Sequence, residues 1–109
     1  MKLHQNLSLE TWQSFSLETQ LSNIGSEVIR SLKWHKKGHA EYANLACHRA
    51  LELFDLTLSC PHRPSALREV ARARELWLDF FLGENQYNQT AQNWERYFLA
   101  FNFAAQNKT

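Results

Sequence analysis

The chain has 109 residues and a mass of 12.8 kDa, which fits one domain with a single core. Its apolar fraction of 44% excludes a disordered chain, and its net charge of +1 predicts no general attraction to nucleic acid or anionic membranes. No apolar run reaches the ~18 residues of a membrane span, and the first residues lack the apolar core of a signal peptide. We therefore expect a cytoplasmic protein with no membrane partner, in which Cys47 and Cys60 are reduced thiols.

Glycine and proline divide the chain into segments. The chain contains five such residues, namely Gly25, Gly38, Pro61, Pro64 and Gly83. All but Gly25 separate apolar-periodic segments of roughly 20 residues, which is the pattern of four long helices. Short connections favour antiparallel neighbours. The sequence therefore predicts an all-α fold, an up-and-down four-helix bundle over residues 16–106, preceded by an N-terminal arm or short helix over residues 1–15.

The first two long helices are predicted over residues 16–37 and 40–59. The first has Ser16 as its N-cap, Gly38 as its C-terminal cap and a cluster of lysines in its last turns, where cations suit the helix dipole. More than half the circumference of the second is apolar, so it needs neighbours on two sides. Its small residues form a ridge that would admit a partner helix closely, made of Ala43, Ala46 and Ala50.

The last two helices follow a rigid connection over residues 60–64 that contains both prolines. The third helix, starting at Pro64 or Ser65, has a charged face that we interpret as a solvated ion-pair ladder. That ladder consists of Arg68, Arg72, Glu75 and Asp79. The fourth helix, over about residues 90–105, has an aromatic stripe of the kind usually found in a core. The stripe consists of Trp94, Tyr97, Phe98 and Phe101.

Gly25 interrupts the first helix on its buried stripe. Glycine inside a helix costs about 1 kcal/mol relative to alanine. The position therefore predicts close contact with another helix, for which the alanine ridge of the second helix is the candidate.

Three charged residues, Glu27, Arg49 and Arg74, project close to apolar helix faces. An arginine there needs an acceptor, because an unpaired buried charge is very costly. The three predict either a polar cluster inside the bundle or structural ion pairs with arginine head groups that reach water. No Cys-x-x-Cys or His-Glu-x-x-His spacing accompanies them, so the sequence predicts no metal and no cofactor.

The stretch from Arg30 to His35 resembles the Arg-x(4–6)-His motif of the HEPN superfamily, whose small helical bundles include dimeric ribonucleases and partners of nucleotidyltransferases. The resemblance implies that Arg30 would hold a phosphate and that His35 would exchange protons near a dimer interface.

A broader resemblance covers residues 17–105. The sequence Asn-Ile-Gly-Ser-Glu-Val at 23–28, the run at 49–57, and the later Arg74-Glu75 with the segment at 83–87 are similar to a family of small prokaryotic helical proteins. That resemblance implies a helical fold and a cytoplasmic setting, and no catalytic activity.

Taken together, these patterns favour a non-enzymatic bundle that forms a homodimer and acts as a binding or adaptor module, because its apolar surface exceeds what one small core hides. Nucleic acid is not an expected partner. The alternative to the dimer is a monomer whose N-terminal arm covers the extra apolar surface. The alternative functions are the HEPN-like ribonuclease or nucleotidyltransferase partner using Arg30 and His35, and a ligand pocket among Trp77, Trp94 and Phe98 that is gated by Arg74.

Overall fold

The helices of the bundle lie close to the segments that glycine and proline mark out. The computed structural model describes residues 8–107, with side chains through residue 101. These residues form α1 (Leu9–Ser14), α2 (Leu17–Lys36), α3 (Ala40–Leu58), α4 (Pro64–Phe81) and α5 (Ala91–Asn107). No strand occurs in this part of the chain, which confirms the predicted all-α bundle. Of the predicted N-terminal arm, residues 1–7 lie outside the described residues.

Local chemistry explains where the helices begin and end. The Ser16 hydroxyl accepts a hydrogen bond from the backbone N–H of Thr19, which caps α2 as predicted. Gly38 has a φ of +82°, so it takes the left-handed conformation that ends a helix without a side-chain clash. Pro64 occupies the first turn of α4, where its missing N–H leaves no hydrogen bond unmade.

Helix α2 is the centre of the bundle. It lies directly against α3 and α5, and α3 in turn packs on α4. The Ser31 hydroxyl donates to the carbonyl of Ala43 over 2.9 Å, while Gln20 meets Cys60 at the other end of the pair, so α2 and α3 run antiparallel. The alanine ridge of α3 is fully covered, which is consistent with the close approach of its neighbours.

Gly25 contacts α5, and the expectation that it meets the alanine ridge of α3 is wrong. A Cβ atom at Gly25 would lie 2.6 Å from the Cβ and 2.7 Å from the Cγ of Phe98. The ring of Phe98 therefore occupies the space that any side chain at position 25 would need. The missing side chain sets the distance between α2 and α5.

Helix α1 covers the end of the bundle at which α3 finishes. Trp12 is buried and its indole N–H donates to the Thr57 hydroxyl over 2.9 Å. The Gln20 side chain is fully buried: its amide nitrogen donates to the Trp12 carbonyl over 2.7 Å, and its amide oxygen lies 2.7 Å from Nε2 of His62. One amide thus joins α1, α2 and the proline-rich connection, satisfying polar groups that burial would otherwise leave unpaired.

We expect Gly25→Ala to destabilise the fold even though alanine is the better helix former, because its methyl group would displace Phe98 and move α5. We expect Gly25→Leu to destabilise it further, and a loss of about 1–3 kcal/mol is typical of such overpacking. The measurement is the midpoint of urea unfolding, with the exposed Ser26→Ala on the same helix as the control. Unchanged stability of Gly25→Leu would contradict the contact.

Candidate functional site

The bundle is open along one side, between α4 and α5. Elsewhere neighbouring helix backbones approach closely, but these two helices meet mainly through large rings. The ring of Trp77 on α4 lies edge-on to that of Trp94 on α5, with centroids 5.4 Å apart, and the other face of Trp77 stacks on Phe81. Because the two indoles fill the space between the helices, the backbones stay apart and a groove forms outside them.

This groove has an apolar floor and a polar rim. Its volume is about 330 Å³, within the range of small binding sites. Ala73, Leu76 and Trp94 form the floor. The rim consists of Glu69, Arg72, Gln89, Asn93 and Tyr97.

A second depression continues the groove along α5. It is lined by Asn93, Arg96, Tyr97, Ala100 and Phe101, so it shares two residues with the first. We call the combined surface the α4–α5 seam; along α5 it extends from Asn93 to Phe101, a rise of roughly 12 Å at 1.5 Å per residue. Arg96 and Ala100 are exposed, and the rings of Tyr97 and Phe101 are half-buried.

Tyr97 connects the two helices across the seam. Its hydroxyl donates to the Glu69 carboxylate over 3.3 Å. Burial raises the pKa of the Tyr97 phenol, and the Glu69 charge raises it further, so the hydroxyl remains a donor at neutral pH. The contact holds the ring in place and leaves the phenol neutral.

The charged face of α4 organises the loop after it, where the sequence indicated only a solvated ladder. The Asp79 carboxylate accepts hydrogen bonds from the backbone N–H groups of Gln86 and Tyr87. The Tyr87 ring lies under the Arg72 guanidinium at 5.5 Å, so this tyrosine folds back on α4. The loop also brings Gln89 to the rim of the seam. Contacts between a helix face and the loop that follows the helix leave no periodic signal in the sequence, so pattern reading missed them.

Glu27, Arg49 and Arg74 have separate surroundings. Glu27 is buried and pairs with Arg30 one turn later on α2. Nε of Arg74 donates to the Asp55 carboxylate over 2.8 Å across α3 and α4. Glu27 and Arg74 thus pair with residues outside the predicted set. Arg49 is half-buried on α3.

Arg30 and His35 line different grooves. Arg30 lies beside Glu27, Asn23 and Trp12, whereas the exposed His35 ring lies 5.9 Å from the Phe81 ring of α4. One protomer therefore does not bring the pair together, and the HEPN-like activity stays a prediction.

The core aromatics are packed together, with Trp77 and Phe98 fully buried. Of the three aromatics suggested for a ligand pocket, Trp94 lines the groove described here, and the arginine on its rim is Arg72. Arg74 points to Asp55 on α3.

Both cysteines are buried free thiols. Burial raises the pKa of Cys47 to about 11, so this thiol is inert at neutral pH. Within the described residues no three His, Cys, Asp or Glu side chains come together as a metal site, and no helix there is long and apolar enough to span a membrane.

Comparison with protein families, curated proteins and solved structures gives no match to this chain.

We expect Asp79→Ala to lower the free energy of unfolding by about 1–2 kcal/mol, because it removes two hydrogen bonds to a charged acceptor. Glu75→Ala, an exposed carboxylate one turn earlier, should change it by less than about 0.5 kcal/mol. Chemical denaturation of both variants tests this, and equal effects would show that Asp79 is merely a surface charge.

Proposed function

We propose that this chain is a cytoplasmic, non-catalytic binding module that forms a homodimer, and that the α4–α5 seam is the surface through which two copies associate. The observation that carries the proposal is the seam itself, an apolar strip that the bundle leaves uncovered between two of its helices.

The shape of the seam suits a helix from a second copy. Two helices held apart by bulky core residues form a groove into which another helix can dock. Ala100 is small and exposed beside the half-buried rings of Tyr97 and Phe101, so a partner backbone can approach closely there. Covering Leu76, Tyr97 and Phe101 would remove apolar surface from water, which stabilises association by about 25 cal/mol per Å².

The charges around the seam suit a two-fold interface. Glu69 lies on the α4 side, and Arg96 on the α5 side, of the same strip. In a symmetric dimer, each surface meets a copy of itself, so the acidic group of one protomer can face the basic group of the other twice. The polar residues thus favour a defined register, and the apolar floor supplies most of the affinity.

The polar groups at the seam favour recognition over catalysis. The Tyr97 hydroxyl is engaged by Glu69, and the Arg72 guanidinium lies on the Tyr87 ring. These contacts fix side chains on the rim, which lowers the entropy cost of ordering them when a partner binds.

Size-exclusion chromatography with light scattering tests the proposal. We expect the wild type at micromolar concentration to have about twice the 12.8 kDa mass of one chain. Ala100→Glu should shift it to monomer, because the substitution places a charge in the apolar strip.

Leu99→Glu is the matched control. Leu99 is 64% exposed and lies next to Ala100 but on another face of α5, so the same charge there should leave the dimer intact. A wild-type mass of 12.8 kDa would contradict self-association. Dissociation by Leu99→Glu but not by Ala100→Glu would contradict the choice of the seam. Circular dichroism should show that both variants remain folded.

A further inference from the structure

A second surface lies at the end of the bundle where α2 finishes and α3 begins. Within residues 8–107, every lysine lies at this end, at positions 33, 36 and 37. Cations near a helix C-terminus stabilise the helix by about 0.3–1 kcal/mol each. The helix dipole explains why cations are favourable at this end of α2, but it does not explain why aromatic rings surround them.

On the α3 side, the lysines adjoin a cluster of accessible rings. The Trp34 ring is half-buried, with its centroid 4.9 Å from that of Tyr42 and 5.3 Å from that of His39. The Lys37 ammonium lies 5.5 Å from the Trp34 ring. Tyr42 is 53% exposed, so about half of its surface is accessible to a ligand.

On the α5 side, two of the same lysines line a groove of about 640 Å³. Lys33 and Lys36 lie there beside the half-buried rings of Phe80 and Phe81. Glu95 is the one carboxylate among the residues that line this groove. Three cations therefore lie on a short arc of α2 with aromatic rings on both sides of it.

We propose that this end of the bundle binds single-stranded nucleic acid. The lysine ammonium groups would contact backbone phosphates, and bases would stack on the Trp34–Tyr42 pair and enter the groove beside Phe80 and Phe81. Base stacking on aromatic rings is tolerant of sequence, and phosphate contacts are salt-dependent. The carboxylate of Glu95 can accept a hydrogen bond from an exocyclic amino group, which would favour cytosine, adenine or guanine over uracil or thymine in the groove.

The arrangement favours a single strand over other polyanions. A duplex hides the faces of its bases, so the exposed rings would have no partner in it. An anionic membrane is a different class of partner, and binding to it requires a wide basic face. This chain has a net charge of +1 and three lysines at one helix end, which do not form such a face. The surface is complete within one protomer and shares no residue with the α4–α5 seam, so the inference does not rest on the homodimer.

Fluorescence anisotropy with a labelled single strand of about 12 mixed nucleotides tests the inference. We expect binding at low salt that weakens with a slope of log K against log salt near about −2, because three phosphate contacts each contribute about −0.7. Replacing all three lysines, as Lys33→Gln, Lys36→Gln and Lys37→Gln together, should weaken binding more than about tenfold. Tyr42→Ala should weaken it at least about fivefold with little change in the salt slope, because it removes stacking and no charge.

The matched control is Arg63→Gln with Arg68→Gln. Both arginines are exposed, and His62 beside them contacts Gln20, which places them at the other end of the bundle. These variants should bind as the wild type does. Heparin, a duplex of the same length and phosphatidylserine vesicles serve as competitors and should each compete more weakly than the unlabelled single strand.

The inference would be overturned by absence of binding at low salt, or by equal binding of the lysine variant and the wild type. Equal competition by heparin together with no effect of Tyr42→Ala would identify a non-specific polyanion site, and preferential capture by vesicles would identify a membrane surface. Either result would contradict a single-strand site. Circular dichroism of each variant separates loss of binding from loss of folding.

Discussion

The contact between Gly25 and Phe98 determines how the helices of this bundle are spaced. Helix α2 packs against α3 on one side and against α5 on the other. Both contacts are close, and each has small residues on one of the two helices, which on the α3 side are the alanines of α3. On the α5 side this group is the bare Cα of Gly25, against which the Phe98 ring lies. A ring held there is fully buried and belongs to the same core as Trp77 and Trp94.

Because α2 packs closely against its neighbours, the bulky indole side chains of α4 and α5 lie on the opposite side of the bundle, between those two helices. The indoles of Trp77 and Trp94 lie edge to face between α4 and α5, and rings of that size cannot fit between two closely packed helix backbones. The seam is therefore a consequence of core volume. At the C-terminal end of α2 most positions face outward, and the three lysines there lie between two sets of rings. The bundle thus carries two surfaces with different chemistry, one apolar and one cationic.

Much of the fold could be predicted from the sequence because helix punctuation is a local property. Ser16 and Gly38 act within one turn of the helix that they bound, and both have the predicted role. The partner of Gly25 could not be predicted in this way, since helical periodicity indicates which face is buried but not which neighbour covers it. Gln20 is a similar case: a polar residue on a buried stripe reads as an interruption until α1 and the proline-rich connection are brought to it.

The candidate surfaces were less accessible to sequence reasoning than the fold. Projection onto a helical wheel places Glu27, Arg49 and Arg74 near apolar faces, but it does not identify their partners. Arg74 pairs with Asp55 on the neighbouring helix α3, whereas Glu27 pairs with Arg30 one turn away on its own helix. The net charge of +1 did not indicate the basic end of α2, because acidic residues elsewhere in the chain offset the charge of its lysines. The aromatic stripe of α5 was correctly assigned to the core at Trp94 and Phe98, and the half-buried Tyr97 and Phe101 at its edge form the seam.

The central claim is that the spacing of the helices exposes a seam that a second copy covers. Spin-label distance measurement between protomers tests it most directly. A label attached at Leu99→Cys is accessible and lies next to the seam without lining it, whereas Cys47 and Cys60 are buried and so resist labelling. The account predicts a clear dipolar interaction between two labels at position 99, and a longer distance for labels at the exposed His48→Cys on α3. No interaction at position 99, or a shorter distance at position 48, would contradict it.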